Sequence, residues 1–362
     1  MKKHLELLVS GLKNRGIRVG VVGNALSNGT LGVESYLVDI LDGVRVTVDA
    51  QAVARVRRIL SEGNWTLVHA HGWKAGMIAL LSRLPHSQPP MVLTLHNELS
   101  PRFKGLKRQL ITCAIGILLQ RADAIICVSS ALGEMAKEQC PESSGKLTVI
   151  LNGIDLSKVL RARTRPAANS GSVNGQIRPI IGSVLRMIPE KGVTDLLRAF
   201  AVVHRSYPTA QLVLVGDGPS RFQFESYAND LGLCDSVRFF GWRDDALDIM
   251  SEFDVFVLPS WSEGTPMTVM EAMAVGLPAI ATDVGGIRDL IEHMQTGIIV
   301  KPRSPKELAE AIMSVLDDQV LFSSLACAAR ESAWTRFGCE TMVEKTVEVY
   351  MKIDQNRPRY SN

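Results

Sequence analysis

Short apolar runs alternate with longer amphipathic stretches along almost the whole chain. That rhythm predicts β-strands separated by α-helices, and so parallel sheets covered by helices on both faces. In the first half it predicts strands over 18–22, 44–48, 66–70, 91–95, 123–128 and 147–151, with helices over 3–13, 52–60, 74–84, 103–121 and 131–138. In the second half the predicted strands are 180–184, 211–215, 237–240, 254–258, 278–282 and 297–300. Between the halves, 163–176 is rich in Ser, Asn, Gly and Ala and reads as linker. The expected fold class is therefore α/β, as two Rossmann-like, doubly wound parallel-sheet domains. The domains expected are 1–158 and 179–338, joined by a linker over 159–178. A last helix over 339–353 carries Met342, Val343, Val347, Val349, Tyr350 and Ile353, and 354–362 reads as a frayed tail.

Composition narrows this picture. At 362 residues with 46% hydrophobic and 6% aromatic content, the chain can bury two sheet cores. It holds no apolar run of the length a membrane span requires. Its start, Met1-Lys2-Lys3-His4, leads into an amphipathic pattern and not into the apolar region of a signal peptide. The six cysteines form no Cys-x-x-Cys pair and read as reduced side chains of a cytoplasmic protein. A net charge of +3 gives no reason to expect nucleic acid. Cations are nevertheless clustered: Lys158, Arg161, Arg163, Arg165, Arg178 and Arg186 fall in a stretch without Asp or Glu, and 102–108 is wholly positive. These read as solvated faces. The alternatives are a positive field at a cleft mouth, or peripheral contact with an anionic membrane surface beside the apolar helix 110–119.

The most informative segment is 259–274. It follows the apolar run Val255-Phe256-Val257-Leu258, breaks at Glu263-Gly264, and re-enters helix near Pro266. A strand end, a glycine turn and a helix start leave free backbone N–H groups at one point, which suits an anion. Gly264, Thr265, Pro266, Met267 and Thr268 would form that seat. Glu263 lies before the helix, and Glu271 lies within it among Met270, Ala272, Met273 and Ala274. A carboxylate in so apolar a helix needs a partner, and a vicinal diol such as ribose supplies two donors. An ordinary strand–loop–helix with a satisfied glutamate is the plain alternative.

This block resembles the Glu-x7-Glu signature of retaining family-4 glycosyltransferases, the glycosyl transferases of group 1, which have the GT-B fold. Five further segments resemble the family in the same order along the chain: Thr94-Leu95-His96-Asn97, Asn152-Gly153-Ile154-Asp155, Ile180 to Arg186 with Pro189-Glu190-Lys191-Gly192, Val213 to Pro219 around Gly216, and Asp283-Val284-Gly285-Gly286-Ile287. The resemblance implies two domains facing across a cleft, with the last helix crossing back to the first. It implies transfer of a sugar from a UDP- or GDP-sugar to a glycan, lipid-linked or small-molecule acceptor, as in cell-envelope polysaccharide synthesis. Glu263 would then hold a sugar hydroxyl, Glu271 the ribose, and His96 the transferred sugar or its phosphate. Arg186 and Lys191, five apart after a strand end, would clamp the diphosphate in place of a metal ion, so no metal or other cofactor is expected. His71, just past its strand end, is a candidate for the acceptor side, ahead of His69. Competing readings are a non-catalytic nucleotide-sugar-binding remnant, or another GT-B enzyme such as a phosphorylase or epimerase.

The chain start departs from the family pattern. Arg15-Gly16-Ile17-Arg18-Val19-Gly20-Val21-Val22 fits the second strand of the family, but no first strand or Gly-Gly turn stands upstream of it. A chain begun at an internal Met codon is the favoured reading. It predicts a slot in the middle of the first sheet, and an in-frame apolar strand ending in Gly-Gly ahead of Met1 in the genomic sequence.

Overall fold

The computed structural model describes residues 2–23, 32–40, 46–83, 89–97, 105–163 and 178–355. The chain forms two compact units, one of Met1–Gly153 with Cys339–Asn362, the other of Ile154–Gly338. In chain order the first unit holds α1 (Lys2–Asn14), β1 (Gly20–Val22), β2 (Glu34–Tyr36), α2 (Val46–Glu62), β3 (Val68–His71), α3 (Trp73–Arg83), β4 (Met91–Leu95), α4 (Gly105–Arg121), β5 (Ala124–Cys127), α5 (Ser130–Gln139) and β6 (Leu147–Val149). The second holds α6 (Leu156–Arg163), β7 (Ile180–Val184), α7 (Val193–Ser206), β8 (Gln211–Val215), α8 (Arg221–Asp230), β9 (Val237–Gly241), α9 (Ala246–Met250), β10 (Val255–Leu258), α10 (Met267–Val275), β11 (Ala279–Thr282), α11 (Ile287–Leu290), β12 (Ile298–Val300), α12 (Pro305–Asp317) and α13 (Gln319–Arg336). The last helix, α14 (Cys339–Gln355), returns to the first unit and packs on α1.

The second unit is one continuous parallel sheet in the order β12-β11-β10-β7-β8-β9. Its interior strands β8 and β10 are buried at every position, as the apolar runs Leu212–Val215 and Val255–Leu258 require. The chain runs outward from β7 through β8 to β9, then returns to β10 on the other side. The switch point therefore lies between β7 and β10, where ligands of doubly wound sheets bind.

The parallel strands of the first unit make two sheets: β3-β4-β5-β6, and a separate pair β1-β2. Alternation along β4 sends Val92 to one face with Leu8 and Leu12 of α1 and Met342 and Val343 of α14. Met91, Leu93 and Leu95 go to the other face, against α3 and α4.

Several expectations need correction. The strand expected over 44–48 falls partly outside the described residues, and Val46, Thr47 and Val48 begin α2. Three valines alternating with polar residues mimic a strand, but helical periodicity continues through Ala52 and Val56, whose burial on α3 fixes the helix. The strand β2 was not foreseen: Glu34 and Ser35 are exposed, so it lacks an apolar run. The chain divides at Gly153/Ile154 and not at 158, and α6 occupies the start of the segment read as linker, packing on α9 and α10. Residues 164–177 of that linker, 102–104 of the basic run and 356–362 lie outside the described residues. The apolar helix α4 buries Ile111, Ile115, Leu118 and Leu119 but exposes Leu110 and Ile117. Among the described residues no single helix is long and apolar enough to cross a membrane.

Candidate active site

In the second unit the loops that leave β7 and β10 meet at the switch point. After β7 the chain passes Arg186 and forms a short 3-10 turn, Pro189–Lys191, closed by Gly192. After β10 it runs through Pro259 to Pro266 and enters α10, with Pro266 as the residue before the first turn. The loops are stitched by backbone: Trp261 donates its N–H to the Glu190 carbonyl (2.8 Å). Gly192 is held at φ +66°, and a Cβ there would lie 2.0 Å from the Pro259 carbonyl oxygen. The β11 loop joins on the other side, where Gly286 N–H donates to the Gly264 carbonyl (2.7 Å). Gly285, at φ +54°, would bring a Cβ within 1.9 Å of the Glu263 carbonyl oxygen. These segments fold so closely because glycine stands where backbone meets backbone.

That framework brings Lys191 and Glu263 together. Lys191 Nζ donates to Glu263 Oε1 at 2.6 Å, and Ser260 Oγ donates to the same oxygen at 2.6 Å. The lysine side chain is 22% exposed and that of Glu263 only 8%, so the pair lies largely out of water. Glu263 leaves its second oxygen for a further donor. Trp261 braces the loop through Nε1 to Asp195 Oδ2 (2.7 Å), with the Arg303 guanidinium 4.2 Å over its ring. Gly264, Thr265 and Pro266 are buried, and Met267 and Thr268 are half-buried at the first turn of α10. Pro266 makes no side-chain cap bond, and α10 starts at the C-terminal end of β10, beside the switch point. Glu271 is buried within α10. Arg186 is exposed on the β7 loop, and Gly216 closes β8 through its N–H to the Gly241 carbonyl (2.8 Å). Asp245, Asp317 and Asp318 serve structure: they hold Arg243, accept from Tyr207, and cap α13 respectively.

The first unit carries a second cluster. His71 ends β3 and His96 follows β4, so both stand at the C-terminal edge of the sheet. His71 Nδ1 lies 3.0 Å from His96 Nε2, and the rings stack at 5.3 Å. His69 is instead tied to structure, between Tyr350 Oη and Thr94 Oγ1 at 2.6 Å each. His4 of α1 packs edge-on against both His71 (5.4 Å) and His96 (4.8 Å). Sequence reasoning missed His4, although its spacing with Leu8 and Leu12 places it on the buried stripe of α1. Burial holds His4 down to about 4 and His69 to about 3, and holds His71 and His96 well below the ordinary imidazole range. All four are neutral at pH 7 and can both donate and accept. The ring nitrogens of His4, His71 and His96 lie within 4.8 Å of one another, the grouping among the described residues that could hold a metal ion. The His71–His96 contact already engages one nitrogen of each of those two rings.

Residues 1–158 match the family model for Glycosyltransferase Family 4, and residues 171–332 match the model for Glycosyl transferases group 1. The alpha-maltose-1-phosphate synthase of Mycolicibacterium smegmatis is 30% identical over 315 residues, covering 80% of this chain and 79% of that protein. The chain belongs to glycosyltransferase family 4. The transferase is also 26% identical to the glycogen synthase of Mycobacterium tuberculosis over 382 residues, 96% of this chain and 90% of that one. In fold it is similar to the HepE protein of Anabaena crystallised with UDP-glucose, with TM-score 0.75 and 23% identity over 97% of this chain and 96% of that one. As a member of this family it is a nucleotide-sugar-dependent, retaining, hexosyltransferase-type enzyme.

Proposed function

We propose that the transferase moves a hexosyl group from a UDP-sugar to a saccharide or lipid-linked acceptor, with its donor seated at the β7/β10 switch point. The observation that carries this is the Lys191–Glu263 pair set beside the uncapped first turn of α10. In this reading the diphosphate lies on the leading N–H groups of α10 and draws Lys191 away from Glu263. Glu263, released from its ion pair, accepts from a hydroxyl of the transferred sugar. Arg186 closes over the diphosphate from the β7 loop. Charge that builds on the leaving phosphate as the glycosidic bond breaks is met by Lys191 and the helix, so no metal is needed. Glu271 holds the ribose. His71 and His96, neutral at pH 7, give the first unit a surface that can hydrogen-bond saccharide hydroxyls without adding charge. The UDP-glucose complex of the Anabaena protein supports UDP over GDP as the nucleotide.

Incubation with radiolabelled UDP-glucose, UDP-galactose and GDP-mannose, each with free sugars, α-glucan and polyprenyl-diphosphate sugars, tests the reading. Transfer from a UDP-hexose with retained anomeric configuration is expected. Transfer from GDP-mannose alone, or inversion, would overturn it. A second reading, donor binding without transfer, is favoured by the split sheet of the first unit against the continuous sheet of the second. Tight UDP binding with no turnover of any donor would select it.

A further inference from the structure

Three imidazoles reach one point of the first unit from three separate elements. His4 stands on the buried stripe of α1, His71 ends β3, and His96 follows β4. One ring nitrogen from each lies within 4.8 Å of the other two. His71 Nδ1 and His96 Nε2 are 3.0 Å apart. His4 is 5% exposed, and its Nδ1 is buried without a hydrogen-bond partner. A ring nitrogen in that state has given up a bond to water and gained none, so it calls for a ligand.

The distances suit a small ion. Nitrogens held tetrahedrally at roughly 2.0–2.1 Å from a zinc ion stand roughly 3.4 Å from one another. The His71–His96 spacing of 3.0 Å is already close to that value. The widest spacing, 4.8 Å at most, closes by a side-chain rotation. Where two neutral imidazoles bond to each other, one donates and the other accepts. A change of tautomer in the donor ring frees both nitrogens as ligands.

Charge and access fit as well. Burial keeps all three rings neutral at pH 7, the form that ligates a metal. His71 and His96 line a cavity of about 850 Å³ between β1 and β3, which gives an ion its path. Arg18 and Lys74 line it too, but each is paired, with Glu34 at 2.7 Å and Asp49 at 3.0 Å. His69 stays outside the set, because Tyr350 and Thr94 engage both its nitrogens. An all-imidazole set also selects its metal. Mg²⁺ and Ca²⁺ take oxygen ligands, whereas Zn²⁺ and Ni²⁺ take imidazole nitrogen. Three side chains leave the fourth corner of a tetrahedron to water.

We propose that His4, His71 and His96 form a binding site for a zinc-class transition-metal ion, and that its occupation inhibits the transferase. The bound ion ties α1 to the ends of β3 and β4. It also takes the nitrogens with which His71 and His96 meet saccharide hydroxyls, a consequence that rests on the function proposed above. The metal-free protein is the active one, and donor activation at Lys191 and Glu263 proceeds without the ion.

Titration of zinc chloride into the 362-residue protein tests this, with magnesium chloride as the control. Calorimetry should show one Zn²⁺ bound and no Mg²⁺. The imidazole nitrogen resonances of His4, His71 and His96 should move on adding zinc, and those of His204 and His293 should stay. Co²⁺ in place of zinc should give the visible bands of a four-coordinate ion without a thiolate charge-transfer band, which sets the cysteines aside. Zinc should suppress transfer, and EDTA should restore it. His4→Asn should weaken zinc binding roughly tenfold or more, the loss that removal of even an outer partner causes, and raise the half-inhibiting zinc concentration to match. If that variant does not fold, the nitrogen shifts and the cobalt spectrum decide on the unaltered protein. Unmoved resonances of the three histidines, a thiolate band, or equal zinc affinity in His4→Asn would each overturn the site and leave the proposed function standing. Zinc held by the three rings with undiminished transfer would instead overturn the inhibition, together with the hydroxyl-binding role of His71 and His96 on which it rests.

Discussion

The two units share a fold plan and differ at the centre of their sheets. In the second, β7 and β10 are hydrogen-bonded neighbours, and the loops that leave them lock through Gly192 and Gly285 into one framework. In the first, the corresponding middle is a cavity, and the chemistry at its edge is a set of neutral imidazoles held by packing against α1. The contrast shows what a sheet centre supplies. Where the central strands pair, loops at their ends are fixed well enough to hold a lysine and a glutamate at 2.6 Å. Where they do not, side chains from a helix must do the positioning.

If the second unit is the chemically complete one, its loop residues should dominate activity. Lys191→Ala is expected to lower kcat by about 10²–10³-fold, with a smaller effect on donor affinity, because the diphosphate charge grows toward the transition state. Steady-state kinetics separate the two. Equal loss in affinity and turnover would mean that Lys191 merely binds the ground state. Glu271→Ala comes next. Removing a charge-assisted partner should weaken UDP-sugar binding by roughly 1.5–3 kcal/mol, measured by calorimetry, with the unfolding of both units unchanged. Unaltered affinity would remove Glu271 from the site.

The first unit should yield to acid before the second. His4 and His69 have folded values of about 4 and about 3 against an ordinary 6.5. Between those limits the unfolded chain binds protons that the folded chain refuses, so stability falls as pH drops through 6.5 and levels off below the folded values. The expected loss is roughly 1–2 kcal/mol per histidine on going from pH 6.5 to 5. It should appear as a lowered first transition in a thermal scan, and His4→Asn should flatten it. A single transition independent of pH over that range would erase the distinction between the units. The smallest effect expected is that of EDTA, which should leave transfer unchanged. Strict dependence on a divalent ion would remove the cation clamp and direct attention to His4, His71 and His96.

Most of the second unit was legible because its interior strands are buried on both faces, so Leu212–Val215 and Val255–Leu258 announce themselves as continuous apolar runs. The strand–turn–helix at Gly264 to Thr268 was legible for a related reason: Gly264 and Pro266 stand between an apolar run and a helical one. The Lys191–Glu263 bond was not, since 72 residues separate the partners and only the strand order makes them neighbours. In the first unit β2 was hidden by its exposed Glu34 and Ser35. His4 was hidden by its type, although the spacing His4, Leu8, Leu12 carried the information.

If the donor sits on the β7/β10 loops as proposed, the close approach at Gly192 and Gly285 also bears on how its site can diversify. Where a carbonyl oxygen sits within 2.0 Å of a would-be Cβ, no side chain can be tried without displacing a neighbouring loop. In a saturation library those two positions should tolerate only glycine, whichever sugar is selected for. New donor preference must then arise at positions of the loop that keep some exposure, such as Met267 and Thr268, while the frame itself is inherited unchanged. The loops act as a fixed chassis, and substrate choice is a matter of what is mounted on it.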